Sequence, residues 1–352
     1  MTTATQLLDL TVTVRAEKVR FDVTDSTGAV IGDVNPVVAC TIDNDASQQI
    51  KRRLSNFRLS ASDYSSFDPL MHRIRPYWVL STGDEYPLGI FLTADASTQR
   101  YSYGTTLSAT LVDQGLLLGQ QLSESIGFAA GTTASAAITQ TVNAAGIFTA
   151  TIASSSYTFG SPIGYPAGKS GTTYAKVLDD ICRLAGYYSP YFSNAGVLQV
   201  RQTVTVSSAT ATLAYLDGGR IISQSMTESN DLLSAPNRFL VIDTAATTGA
   251  VAYPYNIPAS APHSVEKRGF AITSVIEAPG VGDVTQAQAV AAAYYSANPQ
   301  AYQTVVFSSP ADPRHDTFDV INYRTVNYLE TKWSLVCAPG GPMTHTCSRV
   351  YL

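Results

Sequence analysis

The chain is poor in charge. Asp, Glu, Lys and Arg make up only 14% of its 352 residues against 45% hydrophobic, a balance that excludes disorder and leaves Ser, Thr, Asn and Gln to cover a folded surface. Lysine is scarce, six against sixteen arginines, and with the abundant alanine this hints at a GC-rich genome. The net charge of −5 argues against a basic nucleic-acid-binding surface. The four cysteines, Cys40, Cys182, Cys337 and Cys347, form no Cys-x-x-Cys, which removes zinc-ribbon and thioredoxin chemistry. Cys337 and Cys347 could meet across a hairpin, but unpaired core cysteines are the expectation. No window nears the ~20 apolar residues of a membrane-spanning helix. Met1-Thr-Thr-Ala-Thr-Gln lacks the basic region and apolar run of a signal peptide, so the chain is expected to be made in the cytoplasm, stay soluble and insert into no membrane.

Catalytic signatures are missing too. There is no Gly-x-Ser-x-Gly elbow, His-Glu-x-x-His, phosphate loop or dinucleotide fingerprint. His72, His263, His315 and His345 show no metal-ligand spacing. His315-Asp316, with Asp312 and Asp319, is the most catalytic-looking cluster, yet Asp312 to Asp319 reads as a turn leading into a strand. Asp43-Asn-Asp45 lacks the rest of a calcium loop and reads as a polar turn. The expectation is a chain that is not an enzyme, with no catalytic, cofactor-binding or metal residues.

What is present is strand pattern. In Arg73 to Leu92, Ile74, Trp78 and Leu80 share one face and Arg73, Arg75 and Tyr77 the other, the alternation of a half-buried strand. Ser81 to Glu85 supplies a turn, and a second strand runs from Tyr86 to Leu92, giving a hairpin. Strands are also expected within Val12 to Val34, at Val37 to Ile42, Leu54 to Leu59 and Gly104 to Asp113. Such short, regular strands suggest a barrel or sandwich.

After Asp113 the composition changes. Leu116 to Leu118 reads as a buried turn, Thr133 to Ala145 as a helix, and Tyr157 to Ser170 as loop. The best helix places Tyr174, Val177, Leu178, Ile181, Cys182 and Ala185 on one face and Lys176, Asp179, Asp180 and Arg183 on the other, between a Thr172 or Thr173 cap and Gly186. Tyr187 to Phe192 and Val197 to Val204 form a hairpin around Asn194-Ala-Gly196. Strands return at Ile221 to Met226, Arg238 to Ile242 and Phe270 to Ile276. A helix spans 284–298, and strands follow at Tyr302 to Phe307, Phe318 to Tyr323, Tyr328 to Val336 and Cys347 to Leu352. The fold class is mainly β with an α+β insert: a β-barrel domain at 1–112, a middle α+β domain at 113–215, and a second β-barrel domain at 216–352 decorated by the 284–298 helix.

Twenty tyrosines point to assembly, because Tyr carries a large apolar ring and a polar tip into interfaces. The paired Tyr187-Tyr188 and Tyr294-Tyr295, with Arg73, Arg75 and Tyr77, are the candidate subunit-interface residues. Lys51-Arg-Arg53, Arg58, Arg73 and Arg75 could form a basic patch, but arginines on strand faces equally suit subunit contacts.

The pattern resembles the baseplate hub or minor tail proteins of long-tailed bacteriophages, in the form found in phages of actinobacteria. Arg75-Pro-Tyr-Trp-Val with Tyr86-Pro-Leu-Gly-Ile-Phe91 resembles the hairpin of the first hub barrel. Thr172 to Gly186 followed by Gly196-Val-Leu-Gln-Val-Arg201 resembles the middle domain. Ala235-Pro-Asn-Arg-Phe-Leu-Val-Ile242 and Asp312-Pro-Arg-His-Asp-Thr-Phe-Asp-Val-Ile321 are similar to parts of the second barrel. The resemblance implies a homotrimer whose two barrels per subunit make a pseudo-sixfold ring at the distal tip of the virion tail. It implies a distal tail protein ring above, tip or receptor-binding proteins below, the tape-measure protein in the lumen, and DNA only in passing. Some relatives carry a C-terminal cell-wall hydrolase; none is expected here. The mild acidity suggests acidic groups facing the lumen. The alternatives are a carbohydrate-binding tail receptor, which would expose aromatic platforms, and a wall hydrolase, which would need convergent carboxylates or a zinc site.

Overall fold

The computed structural model describes residues 17–102, 104–215, 227–229, 235–243, 251–297 and 303–349. Expected strand residues at 12–16, 221–226, 302 and 350–352 lie outside them. The first β-group is built as the alternation requires. Strands β1 (Lys18–Thr24) and β2 (Val30–Val34) turn over Asp25, whose carboxylate accepts from Thr27 N at 2.8 Å and Ala29 N at 3.0 Å. Then come β3 (Cys40–Asp45), β4 (Arg52–Leu59), β5 (Arg73–Val79), β6 (Glu85–Pro87), β7 (Phe91–Tyr101) and β8 (Gly104–Asp113). Ile74, Trp78 and Leu80 are buried with Phe21, Phe57, Phe67 and Phe91, as their shared strand face predicts.

The second strand of the Arg73 to Leu92 hairpin is shorter than expected. β6 pairs with β5 through Trp78↔Tyr86, then Gly89 at φ 125° redirects the chain, and β7 meets β5 only at Ile74↔Phe91. Pro87 has no N–H to extend the ladder and Gly89 adopts a backbone that L side chains avoid. The two effects split one strand into two.

The middle region has two helices of more than two turns, besides single turns at Gly115–Leu118 and Val206–Ser208. Helix α1 (Ala134–Ala144) is capped by Thr133, and α2 (Tyr174–Ala185) by Thr173, whose hydroxyl accepts from Lys176 N at 3.2 Å. Short strands β9 (Ile126–Phe128), β10 (Ala150–Ile152), β11 (Ile163–Tyr165), β12 (Tyr191–Phe192) and β13 (Leu198–Val200) surround them. Helix α2 buries Tyr174, Val177, Leu178, Ile181 and Cys182 as its periodicity predicts. Asp180 departs from the expected polar face: it is buried, held by Lys176 Nζ at 2.6 Å, Arg183 Nη2 at 3.2 Å and the Tyr165 hydroxyl at 3.3 Å. Ion pairing lets a carboxylate occupy a position that charge alone would place in water.

Gly186 ends α2 at φ 71°, and a Cβ there would meet the Ala293 Cβ at 3.0 Å. Gly186→Ala should therefore cost about 1–2 kcal/mol, the penalty of the left-handed backbone for an L side chain. A urea midpoint equal to wild type would contradict this.

Next in order are β14 (Leu213–Tyr215), β15 (Thr227–Ser229), β16 (Arg238–Asp243), β17 (Val251–Asn256) and β18 (Thr273–Glu277). Helix α3 (Val284–Ala297) and strands β19 (Gln303–Pro310), β20 (Val320–Tyr323), β21 (Val326–Cys337) and β22 (Pro342–Arg349) complete the described chain. Among the described residues one sheet runs β15-β19-β22-β21-β3-β4-β8-β7-β5-β1-β2, with β14 joined to β20, β20 to β21, and β6 to β5. Strands from the two ends of the chain therefore share one sheet, joined from Lys332↔Asp45 to Cys337↔Cys40.

The two β-groups are joined edge to edge through β3 and β21, and α3 packs on β16 and β17 as well as on α2. Helix α3 contributes Ala287, Val290, Ala291 and Tyr295 to one core with Val177 and Ile181 of α2, Phe239 of β16 and Ile276 of β18. All four cysteines are free and buried, and Cys337 faces Cys40 across the strands rather than Cys347.

Candidate functional site

The polar side chains that the sequence scatters collect in a buried seam where β4, the β12–β13 hairpin and the turn before β20 meet. Arg52, 1% exposed, reaches from β4 to the Asn194 Oδ1 at 2.5 Å and forms an ion pair with Asp316, its guanidinium lying 5.5 Å from the Trp333 ring. Asn194, at the hairpin tip, donates to the carbonyls of His315 at 2.7 Å and Pro313 at 3.3 Å. Gly196 lets that tip close, since a Cβ there would stand 2.4 Å from Ile90. Beside it Lys51 donates to the carbonyls of Ala46 at 2.8 Å and Gln48 and to the Ser189 hydroxyl at 3.2 Å, and Ser189 donates to Asp179 at 2.6 Å. Burial pulls the Lys51 ammonium below its usual value, although Asp179, Asp113 and Asp45 pull the other way. Its three acceptors satisfy its three protons.

The seam continues into His315, Glu330 and His345, all fully enclosed. Nδ1 of His315 stands 2.6 Å from Glu330 Oε2, and Nδ1 of His345 stands 2.7 Å from Oε1. The far nitrogens meet the Tyr215 hydroxyl at 2.6 Å and the Ser309 hydroxyl at 2.8 Å. Burial pushes the Glu330 carboxyl up to about 7 and pulls His345 below its ordinary value. Asp312 is also buried, which would raise it, but the Arg314 guanidinium holds its carboxyl below the usual range. The expected catalytic-looking quartet is thus split: Asp312 pairs with Arg314, Asp316 with Arg52, Asp319 accepts from Asp316 N, and His315 turns inward. At 1% exposure the His315 imidazole presents almost no surface on which a substrate could be met for acid–base chemistry.

The candidate interface residues divide. Arg73, Arg75, Tyr77 and Tyr294 are half-buried. Tyr187, Tyr188 and Tyr295 are buried within the subunit at 3%, 4% and 5% exposure, so they have little area left for a partner. Tyr188 stacks on Phe318 at 4.4 Å and the Tyr187 hydroxyl donates to Ala153 O at 2.7 Å. These tyrosines are core. Glu330 is the seam residue that sequence reasoning missed, because its neighbours are brought to it across strands and not by spacing along the chain.

An open cleft of ≈ 500 Å³ lies against Lys51, Asp179, Arg183, Tyr188 and Tyr294. There Lys51 donates to Ser189 and Ser189 to Asp179, while Arg183 donates to Asp180 and the Glu277 carbonyl; no described helix is long and apolar enough to cross a membrane.

Solved structures give the fold its company. A tail protein from Neisseria meningitidis MC58 superposes with a TM-score of 0.63 at 11% identity, over 95% of this chain and 98% of that one. Its fold is shared with phage tail proteins. The 43 kDa tail protein of prophage MuSo2 from Shewanella oneidensis gives 0.62 at 11% identity over the same shares, 95% and 98%. A component of the E. coli type VI secretion system, described as structurally similar to the bacteriophage T4 tail proteins gp27 and gp5, gives 0.51 at 7% identity over 96% of this chain and 75% of that one. No family model matches the sequence, nor does any curated protein. The organisms of these structures lend no support to an actinobacterial host.

Proposed function

We propose that the chain is a structural subunit of a phage-type tail, placed at the baseplate hub, and that three copies close into a ring around the channel through which the tape-measure protein and then DNA leave. The observation that carries this reading is the whole-length likeness to tail proteins, 95% of this chain against 98% of the Neisseria protein. The interior agrees with it. The charged groups of the seam are spent on one another, as a rigid joint needs, and the β-groups of 1–112 and 216–352 are locked edge to edge through β3 and β21. In this reading those segments supply the two ring-forming modules that match a sixfold tube above to a threefold tip below, and 113–215 supplies the middle one. The distal tail ring and the tip proteins would be its axial neighbours in the virion. A mildly acidic subunit would not hold passing phosphates by attraction.

A ring of this kind needs large contacts, commonly more than ~2,000 Å² for permanent interfaces. Arg73, Arg75, Tyr77 and Tyr294 retain surface for them. Tyr77→Asp and Tyr294→Asp should each shift the trimer toward monomer in sedimentation equilibrium, whereas Tyr187→Phe, altering a buried hydroxyl, should leave the assembly unchanged. A purified wild-type chain that sediments as a monomer would count against the proposal.

A further inference from the structure

His315, Glu330 and His345 offer ligand atoms that all lie within 4.8 Å of one another. They come from the turn before β20, from β21 and from β22, so three separate elements converge on one point. The Ser309 hydroxyl settles how the imidazole of His345 is used. Its oxygen is 2.8 Å from the Pro310 carbonyl and 2.8 Å from His345 Nε2. The carbonyl can only accept, and a hydroxyl has one proton, so Nε2 must carry the hydrogen that the Ser309 oxygen receives. In the neutral imidazole that leaves the Nδ1 lone pair of His345 aimed at a carboxylate oxygen 2.7 Å away. Two lone pairs at that distance need an electrophile between them.

The surrounding charges bear on which electrophile. Asp312 is matched by Arg314, Asp316 by Arg52, and Asp319 feels the attraction of Arg201, but among the described residues no Lys or Arg forms an ion pair with Glu330. A divalent ion would balance Glu330 and draw both imidazoles and the carboxylate to one centre. We propose that His315 Nδ1, His345 Nδ1 and the Glu330 carboxylate bind a divalent transition-metal ion of the zinc class. Two imidazoles and a carboxylate are a donor set that zinc accepts, at about 2.0–2.2 Å. Tyr215 and Ser309, on the far nitrogens, stand where the outer partners of metal-bound histidines stand, fixing ring orientation. Donors sharing one ion sit roughly 3 Å apart, so each N···O contact opens by a few tenths of an ångström on binding. The ion would staple the turn at 312–319 to β21 and β22 and so close the seam from the side opposite Arg52.

The test is metal analysis of the full chain, purified without chelator and incubated with Zn²⁺ alone. One zinc per chain is expected, with a thermal midpoint that falls on chelator dialysis and returns with Zn²⁺, and a cobalt-loaded form showing the visible absorption of a tetrahedral site. Tyr215→Phe, which keeps all three ligands, should weaken zinc binding about 10–100-fold. His345→Gln should abolish it. Folded wild-type protein with no zinc above background and a midpoint indifferent to chelator would overturn the proposal, and a proton would then be the shared electrophile. The wild-type measurements decide the matter even where a variant fails to fold.

Discussion

Replacing Trp78 by Ala is expected to cost about 3–5 kcal/mol, enough to unfold many single domains. Trp78 is completely enclosed and lies on the face of β5 that faces Phe21, Phe57 and Phe91, so the loss combines apolar transfer with a cavity that the surrounding strands cannot collapse to fill. Its indole nitrogen has no hydrogen-bond partner. Trp78→Phe therefore gives up ring volume but no hydrogen bond and should cost well under half as much. Denaturant midpoints of the two variants read the difference directly. Equal midpoints for Ala and wild type would show that this face is not the centre of the first β-group.

Arg52 is the second position of large expected effect. Arg52→Ala removes the positive partner of Asp316, the donor to Asn194 and the cation above Trp333 in one step. Breaking a buried pair by removing one member typically costs 3–5 kcal/mol, because the remaining charge is stranded. About that loss is expected here. Asp316→Asn should cost less, since the carboxylate is 25% exposed and water can replace part of what it loses, while Arg52 is 1% exposed and cannot be hydrated where it sits. If the two substitutions proved equally mild, the seam would not be a joint between the sheet and the middle region.

The local structure was legible where one residue's neighbours in sequence are its neighbours in space. The β5 alternation, the Thr173 cap and the Gly186 stop of α2 belong to this class, and the helix that begins after Asp283 follows the same logic, with Asp283 accepting from Gln286 N at 2.8 Å. What escaped is non-local. Nothing near Cys40 announces that Cys337 will lie opposite it, and the edge between β3 and β21 merges two groups that composition presents as separate. Asp180 reads as surface until Lys176, Arg183 and Tyr165 are seen to close over it. The tyrosine pairs are ambiguous for another reason: the same ring suits a core and an interface, so identity cannot distinguish Tyr188, stacked on Phe318, from the half-buried Tyr294. His315, Glu330 and His345 lie on three different elements, and only strand register brings Glu330 opposite Cys347, two residues from His345.

The central claim is that these edge-joined β-groups work by docking against copies of themselves around an open channel. Class averages of the purified chain by electron microscopy test it most directly. The account predicts rings of three subunits with a central hole. Solitary subunits at micromolar concentration, or a closed particle with no hole, would contradict it.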